Sequence, residues 1–338
     1  VFRYPLLRLI FGNVEQDVMD NSQIYFLITA ISFPFIGLFD ANAAFFRAEG
    51  NSKLPMTISA LCNLANIAGN AVLIFGFHMG VAGAAISTLV SRILMSIIMI
   101  CRQRVPKQEI VIRDYFGIRP DMKLILIILS VGIPSGIENG MFQFGKLAIQ
   151  STVSTLGTTA IAAQAMTIIL ENLNGIAAIG IGIGLMTIVG QCIGAGEKDQ
   201  AVYYIKKLAV ISEFVVIGCC LLIWALTKPI TMIAGMEPAS ADMCFYMMTV
   251  ITIVKPIVWV PAFIPPYGLR AAGDVKFSMI LSTCSMWIFR VSLCIYLCRV
   301  QGFGPIAVWI GMFADWTVRS IVFTIRFHRR KWLEHKVV

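Results

Sequence analysis

Nine times along this chain an apolar run of about twenty residues or more is bounded by charged or turn-forming residues, and nothing else in it restricts the fold so strongly. The runs lie at residues 22–46, 54–75, 81–101, the stretch ending at 154 that carries Glu138, 158–189, 203–227, 242–268, 277–298 and 304–327. A segment of that kind crosses a bilayer as a helix, because hydrocarbon offers no water and every backbone N–H and C=O must be satisfied within the segment. With 58% hydrophobic and only 13% charged residues among 338, a water-soluble domain has no interior large enough for the apolar side chains. The chain reads as an all-α polytopic membrane protein.

The net charge of +9 does not point to nucleic acid, since the basic residues form neither a recognition motif nor one amphipathic face. They gather instead after the first, third, fifth, seventh and ninth runs. The loop 102–122, with Arg104, Lys107, Arg113 and Arg119, is the most basic, and the tail 328–338 is basic again. The alternate connections, 13–21, 77–80, 155–158 and 237–242, are neutral or acidic. Cytoplasmic loops carry the excess of Lys and Arg, so the C-terminus is expected in the cytoplasm and residue 1 outside. A chain that starts outside without a signal peptide is expected where an odd number of helices precedes it. The nine cysteines are scattered through apolar runs without metal-ligand spacing. A nucleophile–base pattern and a nucleotide-binding loop are also missing, so an enzyme is not expected, nor a cofactor.

An internal repeat organises the runs. Arg47-Ala48-x-Gly50-x-x-Lys53 recurs as Arg270-Ala271-x-Gly273-x-x-Lys276, an offset of 223 residues, and at that offset Gly12 meets Gly235, Ile28-Thr29 meets Ile251-Thr252, and Ser59 meets Ser282. Corresponding loops fall on the same side, which predicts a parallel six-helix repeat about an axis along the membrane normal. The first half then lacks about three helices, roughly 100 residues. The predicted division is 1–101 for the second part of an N-terminal lobe, 102–122 for the inter-lobe loop, 123–327 for a C-terminal lobe and 328–338 for the tail.

Several short motifs share an order and spacing. They are the RAxG turns at Arg47 and Arg270, Asn66-x-x-x-Asn70 followed by LIFG and GVAGAA, GIP at Gly132–Pro134, and VGQCIGAG at Val189–Gly196. In these the chain resembles the multidrug and toxic compound extrusion (MATE) family, over its whole length, as helices four to twelve of twelve. The resemblance implies a two-lobed bundle that exports amphipathic, often cationic, compounds in exchange for Na⁺ or H⁺ by rocking between inward- and outward-open states. A bacterial inner-membrane protein, working as a monomer among membrane lipid on a small-molecule drug or toxin, is the corresponding expectation. The alternative is a lipid-linked oligosaccharide flippase of the same superfamily, or an inactive fragment.

Charges inside the apolar runs mark the candidate sites, because a charge at the centre of a membrane helix costs about 2.5–3.5 kcal/mol on insertion scales. Glu138 follows Pro134 by four residues among Gly132, Gly136 and Gly140, and by resemblance it matches the carboxylate after the proline of helix seven. It is the expected alternating site for coupling ion or substrate. Lys146 stands about 12 Å further along the helix, and Lys255, on a helix expected to break at Pro261, Pro265 and Pro266, is expected to approach the same cavity. Both either tune Glu138 or pair structurally. Asp40 either faces the cavity or pairs with Arg92. Glu171 and Glu213 are further candidates, whereas Asp315 and Arg319, spaced i,i+4, are expected to satisfy each other. The resemblance also implies a cation site at Asn66, Asn70 and Thr88, with Asn70 standing where an aspartate is usual. Na⁺ at Glu138 or at that trio is the metal expectation. The acidic residue some members carry on helix ten is missing, since the stretch around Trp259 is apolar.

Overall fold

The fold is taken from a computed structural model that describes residues 4–5, 7–8, 16–105 and 121–334. Much of the basic loop 102–122, with Lys107, Arg113 and Arg119, lies outside the described residues, as do Gly12 and the end of the tail. Among the described residues nine helices are long and apolar enough to cross a membrane. They are α1 Gln16–Ala48, α2 Lys53–Gly76, α3 Gly80–Gln103, α4 Met122–Leu156, α5 Thr158–Gly194, α6 Lys198–Ile233, α7 Pro238–Ala271, α8 Val275–Arg299 and α9 Ile306–His328. No strand occurs among the described residues.

The helices fall into two compact units, residues 1–119 and 120–338. In the first, α1 and α2 both pack on α3 around Ala43, Phe46, Ile58, Cys62, Met95 and Met99. In the second, α7 is the central helix and lies against α5, α6 and α9, while α4 leans on α8. Trp316, Phe323, Leu185 and Val189 anchor one part of that unit's core, and Met286, Cys294 and Val308 another. Large apolar side chains such as Leu61, Ile67, Phe75, Phe214 and Ile257 point outward, as they do where the surrounding medium is hydrocarbon.

The repeat seen in the sequence is also present in the helix ends. At the offset of 223, α1, α2 and α3 meet α7, α8 and α9 with bounds agreeing to within three residues. Both RAxG motifs make the same turn. Gly50 N–H donates to the Arg47 carbonyl and Asn51 N–H to that of Phe46, and Gly273 and Asp274 do the same toward Arg270 and Leu269. Each glycine sits at a positive φ, +82° and +90°, where an L side chain is strained. Both α2 and α8 contain a π-helical stretch, Val72–Gly76 and Met286–Val291. Such widened turns are frequent at functional positions.

The expected break in α7 does not occur. Pro256, Pro261, Pro265 and Pro266 all lie inside a helix that continues from Pro238 to Ala271. Each proline removes one hydrogen bond, but the helices on three sides hold the segment in place, and such losses are tolerated in a bundle.

Gly311 shows how closely α8 and α9 approach: a Cβ there would lie 2.8 Å from the Arg290 carbonyl oxygen and 3.4 Å from the Cys294 nitrogen. Backbone cannot swing aside as a side chain can. Gly311→Val is expected to destabilise the second unit by about 1–3 kcal/mol, read as a lowered melting temperature in detergent, with Gly180→Ala, where a Cβ meets open space, as the neutral comparison.

Candidate functional site

A cavity of about 620 Å³ opens within the second unit, lined from α4, α5, α7, α8 and α9. That size suits a drug-sized ligand. Six aromatic side chains line it: Phe142, Trp259, Phe263, Tyr267, Trp309 and Trp316. Trp259 and Phe263 stack with centroids 5.0 Å apart, and Trp316 meets Phe263 edge-on at 6.4 Å. The helical spacing of 259, 263 and 267 places these three rings on one face of α7.

Polar and charged side chains line it as well, among them Lys146, Gln164, Glu171, Lys255 and Arg290. Lys255 is fully buried on α7, and its ammonium donates to Glu171 Oε1 at 2.6 Å, to the Glu171 backbone carbonyl at 3.1 Å and to Asn174 Oδ1. The same ammonium lies 5.0 Å from the Trp259 ring. Gly175, one turn beyond Glu171, leaves room for it: a Cβ there would be 3.3 Å from Lys255 Nζ. The pair therefore ties α5 to α7 at the cavity wall. On the other side, Asp315 accepts from Arg290 and from Arg319, at 2.5 and 2.7 Å, and from Ser285. This includes the i,i+4 pair read from the sequence and extends it to α8. Lys146 is exposed, and its ammonium lies 4.9 Å from the Phe142 ring.

The sequence candidates thus separate into groups. Glu171, Lys146 and Lys255 share the cavity. Glu138 does not line it. Its carboxylate receives Arg270 Nη2 at 2.6 Å, so the arginine of the repeated turn, 132 residues away, takes the acid that the sequence sets out as the alternating site. The pairing follows from charge: a membrane-buried carboxylate, 11% exposed, takes the guanidinium within reach. Asp40 is exposed, and Arg92, its alternative partner, donates to Ser32 Oγ at 2.6 Å instead. Glu213 is half-buried on α6.

In the first unit Asn66, Asn70 and Thr88 do come together. Asn66 Nδ2 donates to Ser87 Oγ at 3.3 Å and to Thr88 Oγ1 at 3.5 Å, and Asn70 Nδ2 donates to Asn66 Oδ1 at 3.3 Å. Asn70 Oδ1 is buried without a donor, an acceptor of the kind a hard cation takes.

The residues that sequence reasoning missed are Arg290, Gln164 and the aromatic wall. Arg290 was within reach, since it interrupts the apolar run 277–298 as Glu138 interrupts its own. The wall was not, because its rings come from three helices and resemble ordinary packing residues.

The sequence profile of the MatE family matches residues 1–72 and 134–296. The chain belongs to that family. A probable multidrug resistance protein NorM of Thermotoga maritima is 25% identical over 97% of this chain and 71% of its own length. A probable multidrug resistance protein, YoeA of Bacillus subtilis, is 24% identical over all of this chain and 73% of its own. Among solved structures, a MOP superfamily transporter from Pyrococcus furiosus, described by the reversed polarity of its binding pocket, superposes with a TM-score of 0.83 at 17% identity, covering 99% of this chain and 74% of that one. The MatE match agrees with the nine helices, among the described residues, that are long and apolar enough to cross a membrane.

Lys255→Met leaves the Glu171 carboxylate buried and alone, and is expected to cost about 3–5 kcal/mol, whereas Lys255→Met combined with Glu171→Leu is expected to recover most of that. A double-mutant cycle on thermal unfolding in detergent measures it.

Proposed function

We propose that this chain forms the larger part of a secondary active efflux antiporter of the bacterial inner membrane, monomeric, with its C-terminus cytoplasmic. It exports amphipathic drug-like or toxic compounds in exchange for Na⁺ or H⁺ by alternating access. The observation that carries this reading is the buried Glu171–Lys255 pair on the wall of an aromatic cavity, in a chain whose family relatives bear the names of multidrug resistance proteins. The aromatic wall suits substrates of varied shape, because ring faces contact many apolar bodies without demanding one hydrogen-bond pattern.

Glu171 is the carboxylate that faces the cavity, so it takes the exchanging role. When deprotonated it holds the Lys255 ammonium. When protonated, or when a cation takes its place, it releases that ammonium and the polarity of the wall changes. Two occupants that exclude each other and favour different states of the transporter give exchange. The Asn66, Asn70 and Thr88 cluster is the second place for a coupling ion, with Asn70 Oδ1 as its open acceptor. Glu138, held by Arg270, supports the turn between α7 and α8 rather than the exchange.

The runner-up, a lipid-linked oligosaccharide flippase, is favoured by the cations Lys146, Lys255 and Arg290 in the lining, which suit a pyrophosphate. The aromatic wall and a cavity of about 620 Å³ favour a compact amphiphile over a lipid-linked sugar.

Everted vesicles carrying the full-length protein, given separately imposed sodium and pH gradients, distinguish the coupling ions. Glu171→Gln is expected to lower gradient-driven efflux by at least about tenfold with unchanged insertion, and Glu138→Gln by clearly less. Full efflux by the Glu171 variant removes that residue from the mechanism.

A further inference from the structure

The charge around the cavity is not balanced. Three cations surround the Phe142 ring: Lys146 Nζ at 4.9 Å, Arg290 Cζ at 5.1 Å and Arg319 Cζ at 6.0 Å from its centroid. One carboxylate, Asp315, answers the two guanidiniums. Lys255 and Glu171 cancel each other. Among the described residues no carboxylate lies within ion-pair distance of Lys146, so this end of the cavity keeps an uncompensated positive charge. In a low-dielectric wall that excess attracts anions and repels cations more strongly than it would in water.

The unmatched hydrogen-bonding groups point the same way. Gln164 and Arg290 both line the cavity, at 1% and 3% exposure, and each keeps a buried donor without a partner, Gln164 Nε2 and Arg290 Nε. The orientation of Gln164 follows from Trp309, whose indole N–H donates to Oε1 at 3.0 Å and leaves the amide nitrogen over. Asn174 repeats the pattern one layer deeper: its oxygen takes the Lys255 ammonium, and Nδ2 is left unpaired. Unpaired buried donors are costly and call for acceptors. An ammonium head brings none, whereas a carboxylate, sulfonate or phosphate head brings two or three acceptor oxygens.

We propose that this cavity takes an amphipathic anion, a drug-sized molecule with an aromatic body against Trp259, Phe263 and Trp316 and an oxyanion head at Lys146 and Arg290. The proposal rests on the efflux reading for its transport role and departs from the cationic cargo that the family resemblance implies. Asp315 holds the Arg290 guanidinium in place, so the head meets a preorganised fork with the exposed Lys146 beside it. Arg290 stands in the π-helical stretch of α8, whose widened turn is where a helix can present such a group to a cavity.

The test uses two probes with one dansyl body, the first ending in a sulfonate and the second in a trimethylammonium. Binding is read by fluorescence polarisation, and transport in vesicles, with the full-length protein in phosphatidylcholine. The sulfonate probe is expected to bind at least about tenfold more tightly. Lys146→Gln is expected to weaken it about tenfold without weakening the cationic probe, Lys146→Arg to restore it, and Lys146→Glu to reverse the preference. Because Lys146 is exposed, these variants keep the fold. Tighter binding of the cationic probe, or an anion-to-cation ratio indifferent to Lys146, overturns the proposal. Displacement of the sulfonate by added phosphatidylglycerol also overturns it, because the site then belongs to a lipid headgroup. Export of the cation alone sinks the anion proposal and leaves efflux standing. Lys146-dependent binding of the sulfonate with transport of neither probe supports the site and sinks efflux.

Discussion

A charge that cannot reach water has to be answered by another side chain, and in the second unit of this protein that requirement ties the helices together. The Lys255 ammonium has no exposure and is satisfied wholly by Glu171 and Asn174, so α7 and α5 cannot separate without leaving a charge in an apolar medium. Asp315 does the same for α8 and α9 through Arg290, Arg319 and Ser285. The residues of both joints, Glu171 and Lys255 at one and Arg290 at the other, line the cavity together with its rings.

The two units share a backbone plan and differ in charge. Ser32 and Arg92 stand at the positions of Lys255 and Asp315 under the offset of 223, and they bond directly to each other in the first unit. In the second unit the equivalent residues turn to other partners, which frees Lys255 for Glu171 and Asp315 for two arginines. One three-helix arrangement therefore carries a neutral polar cluster around Asn66 and Asn70 in one copy and a cation-rich aromatic cavity in the other.

How far the sequence could be read depended on the range of the interaction. The RAxG turns were legible because positive φ and short-range hydrogen bonds tie them to their glycines. The Asp315–Arg319 pair was legible from its spacing on one helix face, and the clustering of Asn66, Asn70 and Thr88 came with the family resemblance. Glu138 stood out as a charge in an apolar run, yet its partner Arg270 lies 132 residues away, and no local pattern joins them. Pro261, Pro265 and Pro266 suggested a broken helix in α7, because their cost is local while the packing that offsets it comes from three other helices.

The sequence by itself determined that this is a helical membrane protein with nine apolar runs long enough to span, the first three of which recur as the last three at a fixed offset. In hydrocarbon the backbone must satisfy itself within each segment, and the segment's composition records that demand. Only the tertiary structure decided which carboxylate faces the cavity, which is tied to an arginine, and which positive charges go unanswered. A side chain's partner depends on the rotation and height of helices distant in sequence, and a residue's identity carries neither.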